Sequence, residues 1–526
     1  MAKRRIDFPF PRPGRGFLGV NTVDGLTDLL FAQGMLAEAT NYHIIGRSGL
    51  LKREGYNQWA TNAVNGSNAV QGLGMWNFDG TRYLVSHAGA KLKYTTDGSS
   101  WTDLSGALTI TDGQDVLSKF AHWHDGTRGN ILWTDGTANP AYWDGNAAAF
   151  VALAVTKARD LATFKNHVFA INTNDRPTAI RFSDYQDITT WPSESIFDCD
   201  RNSVGMALAR HNEETLLAFY EDSVHAINFN YGSSGALASF FTNQPVDMSR
   251  GCVAKSSVVP YKGQTYFASE DGFYSIGSPG RPARYISRAL EGIWSELNQS
   301  RRPYLVGFPR GEPWDEVVWL ASLGSSTTHN IAFVYNPVIA SIYGDDAGWT
   351  IFDSTDGLLK FNAGCIYIDS TGQQKTMLGD YNGNVHHAWG HEFDSAGYQD
   401  GGDGAITSTL KTGFLDLGYR GMKGHREIWI DLELSSDRTF TLAMDGTNTA
   451  LGGTSSVAIG ASADELDTTF ILDESFLAGS GVSQAHIKAE GNSRWFRYEL
   501  TENSESAPHT INALTMLYTR KGMRIN

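Results

Sequence analysis

The stretch from Gly74 to Leu104, GMWNFDGTRYLVSHAGAKLKYTTDGSSWTDL, constrains the fold of this chain more than any other. Its apolar residues alternate: Trp76 with Phe78, Tyr83 with Val85, Leu92 with Tyr94. A period of two places these side chains on one face of a strand. Between the runs lie Asp79-Gly80, His87-Ala88-Gly89-Ala90 and Asp97-Gly98. Asp-Gly between alternating runs marks a hairpin, because a tight primed turn needs positive φ, which glycine adopts without strain. The stretch therefore reads as four short antiparallel strands ending on Trp101, the size of one β-propeller blade.

Composition agrees with many short strands joined by tight turns. The 526 residues include 56 Gly and 15 Pro, with 12% aromatic, 41% hydrophobic and 19% charged residues. Such a chain can bury large cores. Its formal charge of −15 opposes general binding to DNA or anionic membrane. Cys199, Cys252 and Cys365 are too far apart for metal-ligand spacing and fit reduced thiols. The basic N-terminus lacks the apolar core of a signal peptide, and no stretch approaches the length of a membrane-spanning helix.

The reading in chain order is an all-β protein: an extended N-terminal arm, an irregular β-propeller of six or seven blades, and an antiparallel β-sandwich. Residues 1–59 are the arm and a ring-closing hairpin. The arm carries Lys3, Arg4, Arg5, Arg12 and Arg15 among three prolines that oppose helix. It is either a solvated, mobile terminus or a strap reaching an acidic neighbouring subunit. Leu26, Leu29 and Leu30 hint at a short helix, and Tyr42–Ile45 with Leu50–Lys52 read as the hairpin. Residues 60–393 form the propeller, with further blade-like segments opening at Lys119, Leu161, Ala207, Lys255, Val317 and Cys365. A helical insertion is expected over 279–303, around Leu290, Ile293 and Leu297. Residues 394–403 are a Gly/Asp linker. In 404–526, alternation at Ile428, Ile430, Leu432 and Leu434, at Phe440, Leu442 and Met444, and at Phe496, Tyr498 and Leu500 predicts the sandwich.

No catalytic constellation emerges. His386, His387, His391 and Glu392 cluster, but a helical zinc motif needs an acid at fixed spacing between its histidines, and Gly390 interrupts the turn. These residues, and His122 and His124 around Trp123, read as polar loop histidines. Thr95 to Trp101 resembles the Asp-box hairpin of sialidase-type propellers but is one residue short, and that motif is a structural turn. Asp198 with Asp200, and Asp345 with Asp346, read as turn and surface carboxylates. The expectation is no enzyme, no cofactor and no metal.

Residues 18–56 carry an arrangement of another kind. Leu18-Gly19-Val20-Asn21-Thr22 leads to Ala37-Glu38-Ala39-Thr40-Asn41, then to Gly49-Leu50-Leu51-Lys52-Arg53-Glu54-Gly55-Tyr56. This resembles the opening of the tail hub or nozzle proteins of short-tailed bacteriophages, with Asn41, Arg53, Gly55 and Tyr56 as the matching motif. The resemblance covers about forty residues in motif and the whole chain in architecture. It implies a structural virion protein of the tail, made in host cytoplasm, that assembles as a homohexameric ring. Its implied partners are a portal or adaptor ring and tail fibres or a needle, and double-stranded DNA would pass through without tight binding. An acidic lumen suits a conduit, because basic walls would grip phosphates. Arg4, Arg5, Arg12 and Arg15, with Arg281, Arg284, Arg288, Arg301 and Arg302, are the candidate subunit contacts. The alternatives are a glycan-binding or glycan-cleaving propeller, with aromatics and carboxylates at the ring mouth, and an interaction scaffold without a channel.

Overall fold

The computed structural model describes residues 5–11, 16–23, 34–46, 49–124, 128–198, 202–230, 240–311, 313–353, 359–389, 399–400, 404–419, 421–434, 438–446, 454–459, 482–504 and 508–521. The expected helix around Leu26 to Leu30 lies outside them, as do Cys199, Asp200, His391 and Glu392. No helix among the described residues is long and apolar enough to cross a membrane.

The chain is all-β and forms a β-propeller. Six blades are built from four consecutive antiparallel strands; five of them are separate sheets, and the sixth is part of a ten-stranded sheet. Their inner strands are Val70–Phe78, Lys119–His124, Ala158–Phe164, Gly205–Arg210, Val259–Tyr261 and Val306–Arg310. The turns are those that the composition demands: Asp79 (φ 48°) and Gly80 (φ 75°) both occupy the left-handed region that a two-residue hairpin needs. Blade six begins at Val306 rather than Val317, because Val317 lies on its second strand, Glu316–Ala321. The helical insertion between blades five and six consists of one helix, Glu291–Ser295, flanked by the short 3₁₀ segments Arg288–Leu290 and Gln299–Tyr304.

A seventh blade closes the ring. Phe361–Ile368, Gln374–Asp380 and Val385–Ala388 supply three strands, and Tyr56–Gln58, from ahead of blade one, supplies the fourth, with the short strands Gln399–Asp400 and Gly404–Ala405 continuing the sheet beyond it. The inner strand Phe361–Ile368 then returns against Val70–Phe78. The expected ring-closing hairpin is therefore corrected. Tyr42–Ile45 and Gly49–Lys52 do pair with each other, but they pair onward with the C-terminal strand His509–Arg520. Closure falls to the three residues that follow. Joining the first part of the propeller to the last stops the ring from opening at its seam and covers an otherwise bare edge.

Apolar side chains from neighbouring blades fill the spaces between them. Trp76, Val85 and Leu92 of blade one share a core with Ile131, Trp133 and Trp143 of blade two. Glycines let inner strands approach closely. At Gly364 an added Cβ would lie 2.5 Å from the Phe308 ring of blade six.

Two facing sheets follow the propeller. One joins Lys423–Leu434, Val482–Ser493 and His509–Arg520 to the hairpin and to Arg5–Phe10; the other contains Ser408–Thr412, Arg438–Gly446, Thr454–Ile459 and Phe496–Glu502. Ile428, Ile430 and Leu432 of the first meet Phe440, Leu442 and Leu500 of the second in one core. The second sheet also runs through Met35–Thr40 and Gly19–Val20 into Trp349–Asp353, the outer strand of blade six. A clean linker at 394–403 is corrected in part: Gln399–Asp400 forms a bridge beside Tyr56, and the rest lies outside the described residues.

Candidate functional site

The propeller's face at the ends of its inner strands opens into a recess of about 740 Å³. Four consecutive blades contribute to it. Strand Val70–Phe78 brings Trp76 and Asn77, and Lys119–His124 brings His122, Trp123 and His124. The turn after Ala158–Phe164 brings Lys165 and Asn166, while blade four brings Arg210, Glu213 and Phe229. Tyr185 stands at the rim with 54% of its surface exposed. Trp76 and Trp123 form a buried floor, 4% and 6% exposed.

Polar groups at this mouth are held in place. The His122 ring nitrogen Nε2 lies 2.5 Å from the Met75 carbonyl. Burial lowers the His122 pKa, and the bond to Met75 opposes that only in part. Trp123 Nε1 donates to the Asn166 carbonyl at 3.5 Å, and Asn166 Nδ2 donates to the Tyr185 hydroxyl at 3.3 Å. Lys165 pairs with Glu214 at 3.0 Å and sits 5.7 Å from the Phe229 ring centre. Arg210 pairs with Glu213. Glu213 is the one carboxylate among the described residues lining the recess. Hydrolysis of a glycosidic bond ordinarily uses two carboxyl groups flanking the bond. Aromatic faces beside amide, imidazole and charged groups suit binding of a polyhydroxyl ligand.

His122 and His124 are thus not loop residues but alternate positions of an inner strand. Their spacing around Trp123 was visible in sequence, yet which way that strand faced was not. His386 and His387 also lie on a strand, Val385–Ala388. His386 bonds Asp380 at 3.0 Å and packs edge-on against Tyr56. In the Asp-box-like turn, Asp97 Oδ1 accepts from Ser99 N at 2.9 Å, and Thr95 Oγ1 accepts from Gly98 N at 2.9 Å.

The motif residues of the N-terminal segment meet at a buried joint. All five N–H bonds of Arg53 are engaged. Nε donates to Asn41 Oδ1 at 2.7 Å, and Nη1 and Nη2 grip the two Asp400 oxygens at 2.8 and 2.5 Å. The remaining two reach the Glu54 and Asp353 carbonyls. Asn41, at φ 62°, also donates to the Thr407 carbonyl at 2.7 Å and accepts from Asp353 N at 2.9 Å. The Gly55 carbonyl accepts from Trp389 N, and the Tyr56 ring packs against Phe361 of blade seven. Alongside, buried Arg310 pairs with Glu316 at 3.1 Å and Glu54 at 3.4 Å, and His43 stacks on Trp314. Burial pushes the Glu54 pKa up, but His43 and Arg310 more than reverse this and hold it below its usual value.

The candidate subunit contacts divide. Arg301 is buried, paired with Asp115 at 2.7 Å and stacked on Tyr304. Arg302 donates to the Glu270 and Trp294 carbonyls. Arg301 is corrected as a contact, because a buried guanidinium must be matched within its own fold. Arg281 and Arg284 line a separate recess, and Arg284 pairs with Asp345 at 2.9 Å. Burial raises the Asp346 pKa, and nearby Arg288 opposes that only in part. Arg5 begins a strand paired with the chain's own C-terminal strand, and Arg4, Arg12 and Arg15 lie outside the described residues.

The strand pairing and its central recess define a β-propeller protein. No family model and no curated protein matches the chain. Among solved structures, it is similar to the extracellular domain of a hybrid two-component system from B. thetaiotaomicron, at 8% identity and a TM-score of 0.43. That match covers 68% of this chain and 46% of the other, so the chain spans less than half the length of that structure. YCF48 bound to a D1 peptide matches at 11% identity and 0.38, over 65% and 98% of the two chains. An exo-beta-1,3-galactanase from Phanerochaete chrysosporium matches at 10% identity and 0.27, over 88% and 100%. At these scores none bears on activity, substrate or assembly.

Proposed function

We propose that this protein is a non-catalytic recognition propeller that binds saccharide at the mouth formed by blades one to four. The observation that carries this is the recess itself: exposed Tyr185 and half-buried Phe229 beside Asn77, His124, Asn166 and the Arg210–Glu213 pair. Flat aromatic faces take the C–H faces of sugar rings, and fixed polar groups take hydroxyls. Glu213, the single carboxylate among the described lining residues, is held by Arg210, which favours binding over cleavage. Isothermal titration against a panel of oligosaccharides tests it. Saturable binding that Tyr185→Ala weakens about tenfold or more is expected. Absence of binding across the panel, or steady release of reducing sugar, would overturn the reading.

A second reading is favoured by a different observation. The residues that resemble the opening of a phage tail hub, Asn41, Arg53, Gly55 and Tyr56, are the ones joining the N-terminal segment to both the propeller and the C-terminal sheets. On this reading the chain is a virion ring subunit, bound to a portal or adaptor ring, that passes double-stranded DNA. Sedimentation and particle images of the purified chain test it: rings support it, and a monomer at every salt concentration sinks it. The two readings make separate predictions, since a mouth can bind saccharide whether or not copies associate.

A further inference from the structure

We propose that the propeller axis holds a second ligand site, distinct from the mouth, for a small neutral polyhydroxyl molecule. A cavity of about 130 Å³ lies among the opening residues of the inner strands, at the opposite end of those strands from the mouth. Blade one offers Gln71, blade seven Asn362, and the approach to blade two Ser118. Gln71 and Asn362 are each 1% exposed.

The orientation of both amides is set by their donors. Gln71 Nε2 donates to the Thr111 and Val116 carbonyls, each at 3.1 Å. Asn362 Nδ2 donates to the Val70 carbonyl at 3.1 Å and the Gln114 carbonyl at 3.0 Å. Flipping either amide would place an oxygen against two carbonyl oxygens. Gln71 Oε1 and Asn362 Oδ1 are thereby left buried without a hydrogen-bond partner, and so is Ser118 Oγ. Three unpartnered oxygens from adjacent blades are costly to leave buried unless a donor fills the space.

Charge on the remaining wall selects the kind of donor. Lys119 spends its ammonium on Asp160 at 2.7 Å and the Leu208 carbonyl at 2.8 Å. Lys255 reaches the Asp135 carbonyl at 2.9 Å and the Arg159 carbonyl at 3.4 Å. A divalent cation would be repelled by two ammonium groups, and an anion by the two amide oxygens whose orientation is fixed. Hydroxyl groups satisfy the oxygens without either conflict. Gly72, Gly307 and Gly364 leave main chain and C–H surface between the polar groups. The volume equals about four waters at ~30 Å³ each, enough for a short polyol that replaces them.

The test uses the full chain and glycerol, erythritol and xylitol as probes, followed by saturation-transfer NMR and by titration. Saturable binding of at least one probe is expected, weakened about tenfold by Asn362→Leu and unaffected by Tyr185→Ala at the mouth. Asn362→Leu also removes two bonds to main-chain carbonyls. Ser118→Ala, which removes only an unpartnered oxygen, therefore serves as the variant that keeps the fold, with an expected loss of about three- to tenfold. No saturable binding, binding indifferent to both axial substitutions, or a crystal soaked in glycerol that holds only water in the cavity would each overturn the proposal. Loss through Tyr185→Ala alone would place the ligand at the mouth instead.

Discussion

Arg53 is the residue on which the joint between the chain's parts turns. It is fully buried, and its carboxylate partner, Asp400, is 4% exposed. Removing the guanidinium leaves a buried, uncompensated charge, so Arg53→Ala is expected to destabilise by about 3–5 kcal/mol in urea unfolding. Arg53→Lys should recover only part of that, because an ammonium cannot form the two-pronged contact. A loss under 1 kcal/mol for Arg53→Ala would show that the joint is dispensable. His87 gives the pH counterpart. Its ring is buried beside Trp133, and burial pushes its pKa down to about 4, against an opposing pull from Asp135. The folded state thus keeps the ring neutral where the unfolded chain would protonate it. The stability from this group is full above about pH 6.5 and is lost as pH falls from there through 4, on the order of 3 kcal/mol in all. Urea midpoints between pH 7 and 4 should fall less steeply for His87→Gln than for the parent chain. An unchanged slope counts against a buried neutral ring.

At the scale of elements, the strand pairings that matter most are the ones without a local signal. Blade-like segments were legible because Asp-Gly turns and alternation are properties of neighbours, as in Val70–Phe78 and Thr81–Ala88. The borrowed strand Tyr56–Gln58 was not legible: three residues, of which only Tyr56 is buried, carry no period. Its partner, Val385–Ala388, lies more than 300 residues away. Blade contacts give a sharper test. Gly364→Val would force its side chain into Phe308, and overpacking of this kind costs about 1–3 kcal/mol. A thermal midpoint equal to the parent's would mean that blades six and seven can slide apart at no cost.

For the whole molecule, the N-terminal segment is a fastener rather than an appendage. Its strands enter the first C-terminal sheet, the sheet shared with blade six, and blade seven. Strand Arg5–Phe10 covers part of one edge of His509–Arg520, with Phe10 in the shared core. Deleting residues 2–11 should therefore expose that edge and promote association through the C-terminal sheets, leaving the propeller folded. Limited proteolysis would then cut first beyond residue 404. Early cutting throughout 60–389 instead would show that the arm supports the propeller too.

Sequence alone determined the all-β class, the blade-sized units and the alternating C-terminal strands, because each rests on contacts or torsions between residues close in the chain. It also drew attention to Asn41, Arg53, Gly55 and Tyr56, though as a resemblance and not as a joint. Tertiary structure decided which strand seals the ring and which arginines are spent inside the fold. It also decided that His122, His124, Tyr185 and Arg210 share one mouth while Gln71, Ser118 and Asn362 share one cavity. Those outcomes depend on closing loops of tens to hundreds of residues, and the alternation along any one strand does not specify which distant strand lies across from it.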